Sequence, residues 1–177
     1  ICGLDVLDRS VRILDQSRIG PILCNDPMDL GDGTPIHAML IQNTNPMMVA
    51  PESTKVRDGF MREDLFCCVH EQFMTETAAM ADIVLPATSF LEHDDFYTAS
   101  GHTFLQISPA VIEPPGECRS NHEVLQGLGT RLGAEHPGFK MSAWEMILKT
   151  LADSGFEEGR NRERRSFEID FFPGFES

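Results

Sequence analysis

Apolar positions along the chain fall into two rhythms. Three short runs are nearly continuous: Ile36–Gln42 (IHAMLIQ), Leu65–Val69 (LFCCV) and Asp82–Pro86 (DIVLP). Each breaks abruptly into polar sequence, at NTNP, HEQ and PATS respectively. Strands apolar on both faces belong to parallel sheets covered by helices, whereas half-exposed hairpins alternate. Elsewhere the spacing is helical. SNHEVLQGLGTRLG opens on a capping box, Ser120 and Glu123, carries Val124, Leu125, Leu128 and Leu132 on one stripe, and ends on Gly133. SAWEMILKTLADSG repeats the device with Ser142 and Glu145, then Trp144, Ile147, Leu148 and Leu151, then Gly155. TETAAMA predicts a short helix capped by Thr75. Near the start, Leu4, Leu7, Val11 and Leu14 predict a helix that stops at Gly20-Pro21, and residues 25–35 predict a loop.

Alternating strand and helix predict an α/β fold with an open, mostly parallel sheet and helices on both faces, a Rossmann-like three-layer arrangement. One domain is expected over residues 1–155. Residues 156–177, which swing from basic to acidic-aromatic, read as a linker. In such sheets ligands lie beyond the carboxyl ends of the strands. Asn43, Thr44 and Asn45, His70 and Glu71, and the segment through His93 follow those ends and would line one crevice.

Composition narrows the chemistry. Fourteen Lys plus Arg against 28 Asp plus Glu give a formal net charge of −14, a field that repels polyphosphate and argues against nucleic acid as a partner. An anionic cofactor would have to be held locally, by backbone N–H groups and helix N-termini. Cys2, Cys24, Cys67, Cys68 and Cys118 contain no C-x-x-C spacing, which disfavours a thiolate metal site and a disulfide framework. Reduced, mostly buried thiols are expected and lean towards a cytoplasmic location. No apolar run is long enough to span a membrane. The missing initiator Met leads us to expect a piece of a longer protein.

Glu92, His93, Asp94 and Asp95 suggest a metal, but four consecutive residues in extended chain point to opposite sides. G-x-S-x-G, G-x-G-x-x-G and P-loop patterns are absent, and a hydrolytic pairing of Ser100 with His102 is unspecific. Glu71 directly after a buried strand suits recognition of a guanine, since a carboxylate accepts two parallel hydrogen bonds from N1–H and the 2-amino group. His70 can offer its ring to a ribose or base. Equally, Glu71 can cap the following turn with His70 packed against it.

Taken together, LIQNTNP, VHEQFMTETAAMADIVLPATSFLE and PPGECRSNHEVLQGLGTRLG resemble the molybdopterin oxidoreductase family, the DMSO reductase group that holds molybdenum between two molybdopterin guanine dinucleotides (bis-MGD). The resemblance covers residues 36–133. It implies the later half of a split cofactor-binding domain in a molybdenum-dependent oxidoreductase, inactive as an isolated piece. It also implies missing domains of the same chain, an electron-transfer partner and, in the missing N-terminal region, a possible iron–sulfur cluster. Carried over position by position, the cofactor-binding residues are Asn43, Thr44, Asn45, His70, Glu71, His93, Ser120 and Asn121. Glu71 stands where the family usually has Asp, and EHDDFYTASGH replaces the usual E-x-x-G turn. No residue is assigned a catalytic role, and none is expected to ligate molybdenum. The rival reading is a non-catalytic binding or assembly module with the same fold.

Overall fold

The computed structural model describes residues 10–99, 101, 104–155 and 166–168. These fall into two compact units that meet in sequence between Ala87 and Thr88.

The first unit is built on a parallel sheet. Its elements are α1 (Ile19–Leu23), α2 (Pro27–Leu30), β1 (Ala38–Gln42), α3 (Pro46–Val49), α4 (Ser53–Phe60), β2 (Phe66–Glu71) and β3 (Ile83–Pro86). The strands run in the order β1-β2-β3, all parallel. The predicted apolar runs therefore became the expected strands. β2 extends further than its apolar run, because His70 and Glu71 still pair with Leu85 and Pro86 of β3.

One face of the sheet and the paired helices α1 and α4 share a core. Ile19 and Leu23, Val56 and Phe60, and Ile41, Cys67 and Val69 interlock there, with Val56 and Val69 fully buried. The helices approach closely at two glycines. A Cβ on Gly59 would lie 2.4 Å from Leu23 Cβ, and one on Gly20 would lie 2.8 Å from Val56 N. The opposite face of the strands carries Leu40, Phe66 and Ile83, all partly exposed.

Two expectations near the start need correction. Residues 11–15 are not helical, and Gly20-Pro21 lies inside a short helix where a stop was predicted. Pro21 is the third residue of α1, where its missing N–H would have had no partner within the helix. Leu4 and Leu7 lie outside the described residues. Within the predicted loop, Asp26 accepts from Met28 N with Pro27 at the first helical position, a local combination sufficient to start α2. TETAAMA forms a 3-10 turn at Ala78–Met80 whose N-cap is Thr77 in place of the predicted Thr75, although Thr75 Oγ1 still accepts from Ala78 N at 3.2 Å.

The second unit contains β4 (Asp95–Tyr97), β5 (Phe104–Ser108), α5 (Asn121–Arg131), α6 (Ala143–Asp153) and β6 (Ser166–Glu168). Its strands are antiparallel, in the order β4-β5-β6, a second small sheet that the apolar pattern did not announce. Leu105 packs against Ile147 and Leu151 of α6. Both predicted capping boxes are formed. Most of the tail expected as a linker lies outside the described residues, and Ser166–Glu168 runs as a strand beside β5. The stripe on α5 is less buried than its spacing suggests: Val124 is inside, while Leu125, Leu128 and Leu132 are exposed.

Candidate functional site

Because the strands of the first unit are parallel, their carboxyl ends share one edge, and the central strand β2 presents His70 and Glu71 there. Adjacent strand residues point to opposite faces, so the two side chains separate. His70 is 1% exposed, and its Nδ1 lies 3.1 Å from Gln42 Nε2 on β1. Glu71 is half-buried. Its Oε1 accepts from Gln72 N at 2.7 Å, its carbonyl accepts from Ala87 N at 3.1 Å, and Oε2 has no partner among the described residues. The carboxylate is thus steadied by one backbone amide and keeps acceptor capacity for a ligand.

Asn43 follows β1 in the left-handed region, φ 58°, and is exposed. Asn is among the few residues that adopt this conformation at low cost, and the turn it makes carries the chain away from the sheet edge. Thr44 comes next and borders an open cavity of about 260 Å³, together with Gln16, Ser17, Pro46, Val49, Ala50 and Pro51. Asn45 is occupied internally. Its Oδ1 accepts from Thr77 Oγ1 at 2.7 Å, and its Nδ2 donates to Glu76 Oε2 at 2.9 Å. That bond to Asn45 is the largest influence holding the Glu76 carboxyl below its ordinary range.

In the second unit, His93 Nδ1 lies 2.7 Å from the hydroxyl of Thr88, which is 4% exposed, and His93 Nε2 lies 3.7 Å from Asp95 Oδ2. Thr88 N in turn donates to Arg119 O, which ties His93 to the chain entering α5. Ser120 caps that helix: its Oγ accepts from Glu123 N at 3.2 Å, and Glu123 Oε2 accepts from Ser120 N at 2.7 Å. Asn121 is the first residue of the helix and half-buried.

The carboxylates around His93 are stitched to backbone amides. Glu92 accepts from Ser89 N, Asp94 from Ala110 N and Asp95 from Phe96 N. Among the described residues no group of three or more His, Cys, Asp or Glu side chains is placed to hold a metal ion. Ser100 and His102 lie outside them. Cys24, Cys67, Cys68 and Cys118 are free thiols. Among the described residues only Cys67 of these is fully buried and Cys24 is exposed, so the expectation of mostly buried thiols needs correction there, while Cys2 lies outside them. A cysteine's small size fits an interior strand and a helix end equally well. Among the described residues no helix is long and apolar enough to cross a membrane.

Gln42, Thr77 and Thr88 were not singled out from the sequence, although each bonds a predicted site residue. The available signal was positional: Gln42 ends an apolar run, Thr77 sits in the TETA block, and Thr88 lies two residues past the third run.

A family model described as molybdopterin oxidoreductase matches residues 27–131. The chain is 44% identical over 144 residues to the probable oxidoreductase YoaE of Bacillus subtilis, covering 81% of this chain and 20% of that protein. It is 34% identical over 120 residues to formate dehydrogenase H of Escherichia coli, covering 67% of this chain and 16% of that one. Among solved structures, acetylene hydratase from Pelobacter acetylenicus superposes with a TM-score of 0.68 at 24% identity, over 84% of this chain and 20% of that chain, a likeness of fold. The chain therefore spans about a fifth or less of the length of these relatives.

Proposed function

The chain belongs to the molybdopterin oxidoreductase family, and from that premise we propose that it is part of the catalytic subunit of a molybdenum enzyme and supplies one wall of a guanine dinucleotide site. Glu71 carries the reading. It is a carboxylate at the carboxyl edge of the central strand of a parallel sheet, anchored by one bond to Oε1, and each of its oxygens keeps a lone pair for a ligand. Guanine offers N1–H and a 2-amino hydrogen side by side, and a carboxylate meets both with parallel charge-assisted bonds. The groups at this edge fit a nucleotide: an acceptor for the base at Glu71, and an exposed left-handed turn at Asn43 with Thr44 beside it. His70, buried on the opposite face, bonds Gln42 across the strand ends.

Within the second unit, His93, Ser120 and Asn121 form a separate set of candidate polar contacts to the cofactor. The Ser120 hydroxyl is committed to the cap, and Asn121 opens a helix whose N-terminus favours an anionic or ribose oxygen.

The cofactor, when bound, supplies the redox chemistry, while these residues supply position and electrostatics. Relatives named as a formate dehydrogenase and an acetylene hydratase both resemble this chain. That range supports placing the choice of substrate outside these residues. The electron partner, and any iron–sulfur cluster, would likewise belong to other parts of the parent enzyme.

The test is Glu71→Ala in the full-length parent. Molybdenum and guanine-containing pterin per chain are expected to fall relative to the unaltered enzyme. Undiminished content of both overturns the guanine assignment.

A further inference from the structure

We infer that Asn45 and Thr77 form a clamp that sets the spacing between the turn after β1 and the segment after β2, and that both act on cofactor binding by positioning and not by contact. The inference rests on the reading of Glu71 given above and deepens it.

Thr77 is fully buried, and its hydroxyl is bonded on both sides. Its hydroxyl donates to Asn45 Oδ1 at 2.7 Å and accepts from Met47 N at 3.1 Å, so one side chain closes both ends of the turn. Its backbone N–H points to the same Asn45 oxygen at 3.4 Å. The Asn45 amide nitrogen spends a hydrogen on Glu76 Oε2 at 2.9 Å. Asn45 is thereby engaged through both its oxygen and its nitrogen within the protein. What the bonds hold is the exit from β1. Asn43 and Thr44 lie immediately before Asn45, and Thr77 lies on the segment that leaves Glu71. A polar group buried without its partner costs more than the bond is worth in water, so the turn has one favoured placement while the clamp is intact.

The experiment uses the full-length parent carrying its cofactor, with guanine-containing pterin per chain measured after exhaustive dialysis. Thr77→Val conserves shape and removes the hydroxyl, and Thr77→Ser keeps the hydroxyl. Retention is expected to fall roughly ten-fold in Thr77→Val and to recover in Thr77→Ser. Asn45→Ala leaves the Thr77–Met47 bond in place and reads the same clamp if Thr77→Val does not fold. The double variant is expected to lose no more than the worse single variant, because both changes cut one interaction. Full retention in Asn45→Ala, equal losses in Thr77→Val and Thr77→Ser, or additive losses in the double variant overturn the clamp. Glu71→Ala, run alongside, separates the two claims. Loss there with full retention in Asn45→Ala removes the clamp alone, and full retention there removes the guanine reading and the clamp with it.

Discussion

Gln42 and His70 are register partners on adjacent parallel strands, and their side chains meet at 3.1 Å, Nε2 to Nδ1. An amide nitrogen only donates, so the imidazole nitrogen accepts. The bond lies at the edge where β1 and β2 end, with His70 buried and Glu71 emerging beside it. The two residues that the sequence offers as a pair therefore divide their work: His70 braces the strand end and Glu71 faces outward.

Replacing His70 with Phe would keep ring volume and remove the acceptor for Gln42. A loss of about 1–3 kcal/mol is expected, the range for disrupting a buried polar pair. A lower denaturation midpoint in the full-length parent would show it, and an unchanged midpoint would remove the bracing role.

Gly59 sets a steric limit on α4. Helix propensity alone favours alanine over glycine there by about 1 kcal/mol. The added Cβ would come within 2.4 Å of Leu23 Cβ, however, and overpacking of this kind costs about 1–3 kcal/mol. Sterics win, so Gly59→Ala should lower the melting temperature. A raised melting temperature would show that α1 and α4 have room to move apart.

Ser120→Ala and Ser142→Ala each remove one capping hydroxyl from a formed box. Each should cost about 1 kcal/mol of stability. The comparison of cofactor content between the two is informative in its own right. A deficit in Ser120→Ala that exceeds the one in Ser142→Ala marks a role for Ser120 beyond the cap.

Burial pushes the Cys67 thiol up from 9.0 to about 11, with the neighbouring Asp82 charge adding to the effect. A raised folded value means the native state keeps its proton where the unfolded chain has lost it. The contribution to stability is therefore complete below about pH 9 and is lost as pH rises towards 11. At pH 8 a thiol reagent should label exposed Cys24 in the native protein and Cys67 only after unfolding. Native labelling of Cys67 would contradict its placement in the core.

The sequence pattern made the first unit's sheet readable because burial on both faces leaves unbroken apolar runs, and IHAMLIQ, LFCCV and DIVLP are such runs. The helices with Ser120–Glu123 and Ser142–Glu145 were readable because a capping box is a local device. The antiparallel β4-β5-β6 sheet was not, since its first and last strands are three residues long and its pairing joins residues far apart in sequence. Within the site, Glu71 was legible as a carboxylate at a strand end. The inward commitment of Asn45 was not, because Thr77, 32 positions away, becomes its partner only once the sheet has formed.

The central claim is that Glu71 reads guanine, and base selectivity tests it most directly. GMP and IMP differ in the 2-amino group that one arm of the bidentate contact requires. Their binding is measured on the full-length parent after cofactor removal, with and without Glu71→Ala. The account predicts that GMP binds roughly ten-fold tighter than IMP, the worth of one charge-assisted bond, and that the gap closes in the variant. Equal binding of the two nucleotides to the unaltered protein would contradict it.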